Sequence, residues 1–183
     1  VLDETLSLPV KWRYSRYGWM ALVNDGQGRG FRICPNCGWA EVIPLAGNAA
    51  APKTHIHPIT QRECSGSSFI TVNLGHHYIT DVLELCTTGD RLSFNQIALR
   101  STMYALLEGA SEALGIRRDD IDATLYNRNA NDLMSIVIYD TTAGGAGHVE
   151  RIQHHLRPVI ECALSRMEKC ECGGKEGNTS CYS

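Results

Sequence analysis

The chain has 183 residues, 43% of them hydrophobic, and 17 Lys and Arg against 20 Asp and Glu give a formal net charge of −3. That length and apolar content suit one domain, or one domain with a small appendage, around a true core. The charge excludes a globally basic nucleic-acid coat while leaving a local basic groove open, and no apolar run approaches the length of a membrane span.

Residues 5–33 read as strands with loops. Within them, Lys11-Trp-Arg-Tyr-Ser-Arg-Tyr-Gly-Trp19 alternates basic and aromatic side chains. Alternation of this kind fits a half-buried strand with its aromatics inside and its cations in water. The competing reading is a stacking strip for nucleic acid; the strand reading is favoured, because any half-buried strand alternates. Asn24 to Gly30 is a turn-rich loop whose glycines permit positive φ.

Cys34-Pro-Asn-Cys37-Gly38 has the form of half a zinc knuckle. Two intervening residues let both thiolates reach one ion, and the following glycine lets backbone amides turn toward the sulfurs. Two further ligands are needed. His57 and Cys64 are taken as the completing pair, with His55 as the competing imidazole, giving a Cys₃His set that tetrahedral Zn²⁺ accepts readily. Gly47 to Pro52 is a flexible excursion inside this region.

Phe69 to Leu74 and Tyr78 to Cys86 are predicted strands, interrupted by Gly75-His-His77. Asp90 to Ser93 closes a turn, with Ser93 as N-cap. The clearest helix runs from Phe94 to Leu114: Leu99, Met103, Leu106, Leu107, Ala110 and Leu114 share one face, and Gly115 stands at the capping position. Ile121 to Tyr126 is a short strand, and Asn127 to Asp132 a polar turn. Met134 to Tyr139 is a nearly continuous apolar strand, expected to be covered on both faces. The last helix starts near Gly147 and carries Val149, Ile152, Leu156, Val159, Ile160, Ala163, Leu164 and Met167 as its apolar stripe. Pro158 should kink it, or restart it as a first-turn residue. The expected class is α+β: a mixed β-sheet with two main helices packed on it and zinc-knuckle elements at both ends. The expected division is a β-rich knuckle subdomain over 1–73, an α/β core over 74–169 and a Cys-rich tail over 170–183.

The loop between the last strand and the last helix holds Gly144, Gly145 and Gly147 and is bracketed by Asp140 and His148. Its amides, together with His148 and Arg151, are candidates for contacting phosphate or DNA; tight strand-to-helix packing explains the glycines equally well. No Lys-Ser/Thr follows, so this is not a nucleotide P-loop. An alternative assigns Asp140 and His148, with Asp81, Glu84 and Glu150 nearby in the pattern, to a metal-dependent nuclease or hydrolase. Asp81 and Glu84 lie three apart on a strand and so face opposite sides, which weakens that set. The adjacent His76 and His77 diverge in the same way.

The eight cysteines cluster as metal ligands rather than as disulfide partners, which implies a reducing, cytoplasmic compartment. Cys86 and Cys162 sit inside apolar patterns and read as core residues. Cys170, Cys172 and Cys181 form a second group, one thiol short of a four-thiolate set. The chain begins at Val1 without a visible signal peptide, and is read as a piece of a longer polypeptide.

The run from Leu74 to Leu85, the helix segment from Tyr104 to Ser111, the loop from Tyr139 to His148 and the Cys170-Glu-Cys172 tail occur together in order. As a set they resemble the C-terminal zinc-binding domain of unknown function of mitomycin-repair-factor-like DEAD/DEAH-box helicases and of the DrmB-like proteins of the DISARM anti-phage system. The resemblance covers essentially the whole chain, most firmly residues 74–181. It implies zinc as cofactor, bound in the family's tail by four cysteines, of which three map to Cys170, Cys172 and Cys181. It implies as partners a DEAD/DEAH-box helicase core, in cis or in trans, and DNA. The module would support DNA binding or processing in repair or anti-phage defence, with no chemistry of its own. A pure protein-docking module for the helicase core is a further alternative. No Walker lysine or DEAD-type box is present, so ATP hydrolysis is not implied within these residues.

Overall fold

The computed structural model describes residues 10–45, 50–87, 96–127 and 134–169. They divide into two compact units, one formed by Val1–Trp19 with Tyr78–Ser183 and the other by Met20–His77. Cys170, Cys172 and Cys181, Ser93 and most of the polar turn after Asn127 lie outside the described residues.

The fold is α+β. The larger unit rests on a four-stranded sheet in the order β1-β7-β9-β8, built from β1 (Val10–Asn24), β7 (Leu74–Thr87), β8 (Ile121–Tyr126) and β9 (Ser135–Asp140). β9 is antiparallel to both neighbours, with Val82 opposite Tyr139 on one side and Asp122 opposite Tyr139 on the other. In each strand the side-chain period of two sends one set toward the helices. Leu83 and Leu85, Ile121 and Ala123, and Ile136 and Ile138 meet Leu99, Met103, Leu106, Leu107 and Ala110 of α1 (Gln96–Leu114) there. Each Leu, Ile or Met side chain in this set contributes about 1.5–3 kcal/mol when fully buried. β9 is buried on both faces apart from Val137, which explains its unbroken apolar sequence.

The final helical pattern is two helices, α2 (His148–His154) and α3 (Leu156–Glu168). The break falls at His155, and Pro158 sits in the first turn of α3, where no amide is required of it. Val149, Ile152, Leu156, Val159 and Ala163 are buried as the stripe requires. Leu164 and Met167 are not part of it: they are 54% and 48% exposed. α1 and α3 approach closely at Gly109, where a Cβ would come within 2.5 Å of the Val159 carbonyl oxygen.

β7 runs without a break through Gly75, His76 and His77, where an interruption was expected. A Cβ on Gly75 would lie 2.8 Å from the Leu22 carbonyl oxygen, so the glycine answers a close strand approach rather than a turn. On β1 the basic and aromatic run divides. Trp12 and Tyr14 pack against the core, whereas Tyr17 and Trp19 are 78% and 70% exposed.

The smaller unit contains a three-stranded sheet in the order β3-β2-β6 and a two-stranded hairpin of β4 and β5. The elements are β2 (Phe31–Ile33), β3 (Ala40–Val42), β4 (His55–Ile56), β5 (Glu63–Cys64) and β6 (Ile70–Val72). They are too short to hold a large apolar core, so a unit of this kind depends on another staple.

Candidate metal centre

The staple is a cluster of Cys34, Cys37, His55 and Cys64, whose ligand atoms all lie within 4.8 Å of one another. Two local structures present it. The first is the turn between β2 and β3. Gly38 takes φ +76°, a conformation costly for any residue with a Cβ, and its amide donates to the Cys34 carbonyl at 2.9 Å. The Cys34 amide donates in turn to the Trp39 carbonyl at 2.8 Å. The knuckle is thereby closed with both sulfurs on the same side.

The second is the β4–β5 hairpin, whose register places His55 directly opposite Cys64 and Ile56 opposite Glu63. Period-two geometry then carries one pair into the cluster and the other to the opposite face. His57, expected as a ligand, lies outside the cluster. Its Nδ1 accepts hydrogen bonds from the amides of Ile59 at 3.1 Å and Thr60 at 3.3 Å, and its carbonyl accepts from the Gln61 amide at 3.0 Å. His57 closes the hairpin turn, and His55 supplies the imidazole.

The environment suits a cation. Cys34 and His55 are buried, and Cys37 Sγ lies 3.1 Å from His55 Nε2. A Cβ on Gly66 would fall 3.0 Å from Cys34 Sγ and 3.5 Å from Cys64 Sγ, so residue 66 must leave room beside the sulfurs. Burial alone would raise the Cys34 thiol pKa. The amides of Asn36 and Cys37, with the Cys37 and Cys64 thiols, outweigh that, and Cys34 ends below its ordinary value. Cys37 is pushed up, by burial and then by the Cys34 and Cys64 thiols, against a single lowering contact from the Trp39 amide. A divalent cation bound here would draw the protons off the sulfurs. Tetrahedral zinc with bonds of about 2.0–2.3 Å holds its ligand atoms roughly 3.5–3.8 Å apart, a spacing that falls inside the 4.8 Å bounding the cluster. The described cysteines Cys34, Cys37, Cys64, Cys86 and Cys162 form no disulfide.

Every amide from Gly144 to Val149 already donates to a protein oxygen. Gly144 donates to the Ile79 carbonyl at 2.7 Å and Gly145 to the Thr142 carbonyl at 3.0 Å. Ala146 and His148 donate to Asp140 Oδ2 at 2.6 and 3.3 Å, Val149 to Asp140 Oδ1 at 3.0 Å, and Gly147 to Asp81 Oδ2 at 3.3 Å. Two buried carboxylates thus take the place that a phosphate would need and would repel one. Gly144, Gly145 and Gly147 serve the fold, with φ values of +88°, +78° and +76°. Arg151, the other phosphate candidate, donates to the Leu114 carbonyl at 2.7 Å and so closes the end of α1.

The same geometry counts against a nuclease centre. Asp140 is fully buried and its two oxygens are committed to three amides. Asp81 takes Tyr14 and Gly147 as partners, whereas Glu84 pairs with Arg13 and Ser135 on the other face. Glu150 is engaged by Arg16. His148 Nε2 stands 3.8 Å from Asp120. Among the described residues, the cysteine and histidine cluster is the one group with metal-holding geometry.

Residues 102–183 match the family model of the MrfA Zn-binding domain. The chain is 31% identical over 180 residues to the Druantia protein DruE of Escherichia coli strain UMEA 4076-1, an alignment covering 86% of this chain and 10% of DruE. The chain therefore spans about a tenth of that relative's length. Among solved structures, the DUF1998 helicase MrfA bound to DNA shares 13% identity at a TM-score of 0.48, over 91% of this chain and 21% of that one. Residues 102–183 are thus similar to the MrfA Zn-binding domain family, in keeping with the mitomycin-repair-factor-type resemblance carried by the motifs.

Proposed function

We propose that this chain is a zinc-stapled accessory module of a helicase-type protein, which supports DNA binding or processing in repair or anti-phage defence and carries out no chemistry itself. The observation that carries this reading is the closed ligand set. Three sulfurs and one imidazole fill a tetrahedral ion's coordination with protein atoms and leave no position for water or substrate, as in structural zinc sites. The carboxylates nearest to a catalytic pattern are spent on backbone amides. The match to a zinc-binding domain over residues 102–183 and the similarity to part of a much longer relative support a module working beside a larger partner, a DEAD/DEAH-box core in cis or in trans. Free thiols at the cluster suit a reducing, cytoplasmic compartment. No helix among the described residues is long and apolar enough to cross a membrane.

DNA contact would fall to exposed side chains, since the glycine-loop amides are taken. Tyr17 and Trp19, exposed on β1 in sequence with Lys11, are of the type that stacks bases beside a cation. The test is a fluorescence-anisotropy titration of labelled single- and double-stranded DNA with the zinc-loaded chain across a salt series. Affinity that falls steeply with salt, and drops on Tyr17→Ala, supports the reading. Flat salt dependence counts against it, and cleavage in Mg²⁺ or Mn²⁺ that is lost in a folded Asp140→Asn variant overturns it.

A further inference from the structure

A metal-binding histidine normally donates its second ring N–H to a carboxylate or carbonyl, and that bond fixes tautomer and ring orientation. His55 departs from this. Its Nε2 faces Cys37 Sγ at 3.1 Å, while its Nδ1 is buried with no hydrogen-bond partner among the described residues. The ring packs against two aromatics instead. Trp39 stacks on it at a centroid separation of 4.8 Å and an interplanar angle of 32°. Phe69 lies 5.6 Å away at 56°, and Trp39 and Phe69 touch edge to face at 5.9 Å.

These three rings come from different places. Trp39 follows the first knuckle, His55 opens β4, and Phe69 precedes β6. An imidazole that gives a lone pair to a dication becomes more positive over its whole ring, and aromatic faces attract positive charge. Arg32 already stands 6.0 Å from the Phe69 ring centroid, which leaves Trp39 as the main partner for His55.

We propose that Trp39, assisted by Phe69, is an aromatic clamp that positions the His55 imidazole on the metal ion in place of the usual hydrogen bond. The clamp rests on the reading of this cluster as a metal site. It makes Trp39 a positioning residue whose contribution grows on metal loading. A ring at position 39 is therefore required for full metal affinity, whereas an aliphatic residue of similar bulk is insufficient.

The test uses the intact chain, freed of metal under reducing conditions and titrated with Zn²⁺ and then with Cd²⁺. Coordination at this site alone is followed by the ¹⁵N resonance of His55 Nε2, and affinity by competition with a chelator. Trp39→Leu should weaken binding at His55 by about 10–100-fold, the range for loss of a ligand's supporting contact. Trp39→Phe should recover most of it. Co²⁺ added to the wild-type chain should also quench a Trp emission component that is missing in Trp39→Phe. If Trp39→Leu does not fold, Phe69→Leu serves as the second variant, with a smaller loss expected. Equal affinity in wild type, Trp39→Phe and Trp39→Leu overturns the clamp and leaves the metal site standing. A wild-type chain whose His55 resonance never responds to metal overturns both.

Discussion

His55 and Cys64 face each other across the β4–β5 hairpin as register partners. That pairing turns four separated residues into one ligand set, because the residue opposite Cys64 shares its face of the hairpin. His57 is only two positions further on, but there the chain has entered the turn.

The two imidazoles should therefore respond differently to removal. His55→Ala should lower metal affinity by at least tenfold and destabilise the smaller unit when zinc is limiting. His57→Ala should leave metal affinity unchanged and cost about 0.5–1 kcal/mol through the lost turn contacts. Chelator competition and urea denaturation of the two variants separate these effects.

Loss of a sulfur should act as loss of the ion. Cys34→Ser or Cys64→Ser should remove about one zinc per chain, as measured by mass spectrometry of metal content. The amides of residues 20–77 should then lose hydrogen-exchange protection. Protection on β8 and β9 should stay near wild type, because that core is held by aliphatic packing.

Asp140 should prove structural. Asp140→Ala strips three amides of a buried acceptor, and each unsatisfied group costs about 1–3 kcal/mol before relaxation. A loss on the order of 3 kcal/mol in chemical denaturation is expected, with no change in any metal-dependent cleavage. A stability change under 1 kcal/mol would contradict the role assigned to the loop.

Gly109 tests the helix crossing. Gly109→Val drives a side chain toward the Val159 carbonyl and the Ala163 amide, 2.5 and 2.8 Å from an added Cβ. Overpacking of this kind costs about 1–3 kcal/mol, and an unchanged thermal midpoint would show that α1 and α3 separate easily.

Alkaline pH should weaken the fold through Tyr139. Its pKa is pushed from 10.0 up to about 12, first by burial and then by the Asp122 carboxylate that accepts its hydroxyl. The folded state thus keeps a proton that the unfolded chain gives up. The resulting stability is fully present below pH 10 and is lost as pH rises through 12. Denaturation midpoints taken between pH 9 and 12 should fall, and Tyr139→Phe should flatten that decline.

Several features were open to reading from local pattern alone. The 3.6-residue period of α1 and the apolar run of β9 report burial through their own spacing. Cys34-Pro-Asn-Cys37-Gly38 carries its geometry in five consecutive residues. The choice of His55 over His57 depends on pairing with a strand eight residues away, and neither histidine differs from the other in its immediate sequence. The glycine loop left two readings open for a similar reason. Glycines before a helix mark exposed-backbone conformations, but only the fold brings the Asp81 carboxylate from another strand to the Gly147 amide. The clamp on His55 was likewise hidden, because Trp39 and Phe69 lie 30 residues apart in the chain and meet across an imidazole that belongs to neither segment. What the chain determined by itself was its class of elements and its metal-binding chemistry, since periodicity and thiol spacing are local. Tertiary structure decided which imidazole joins the sulfurs and which amides stay available to a ligand, since both depend on groups brought together from distant positions.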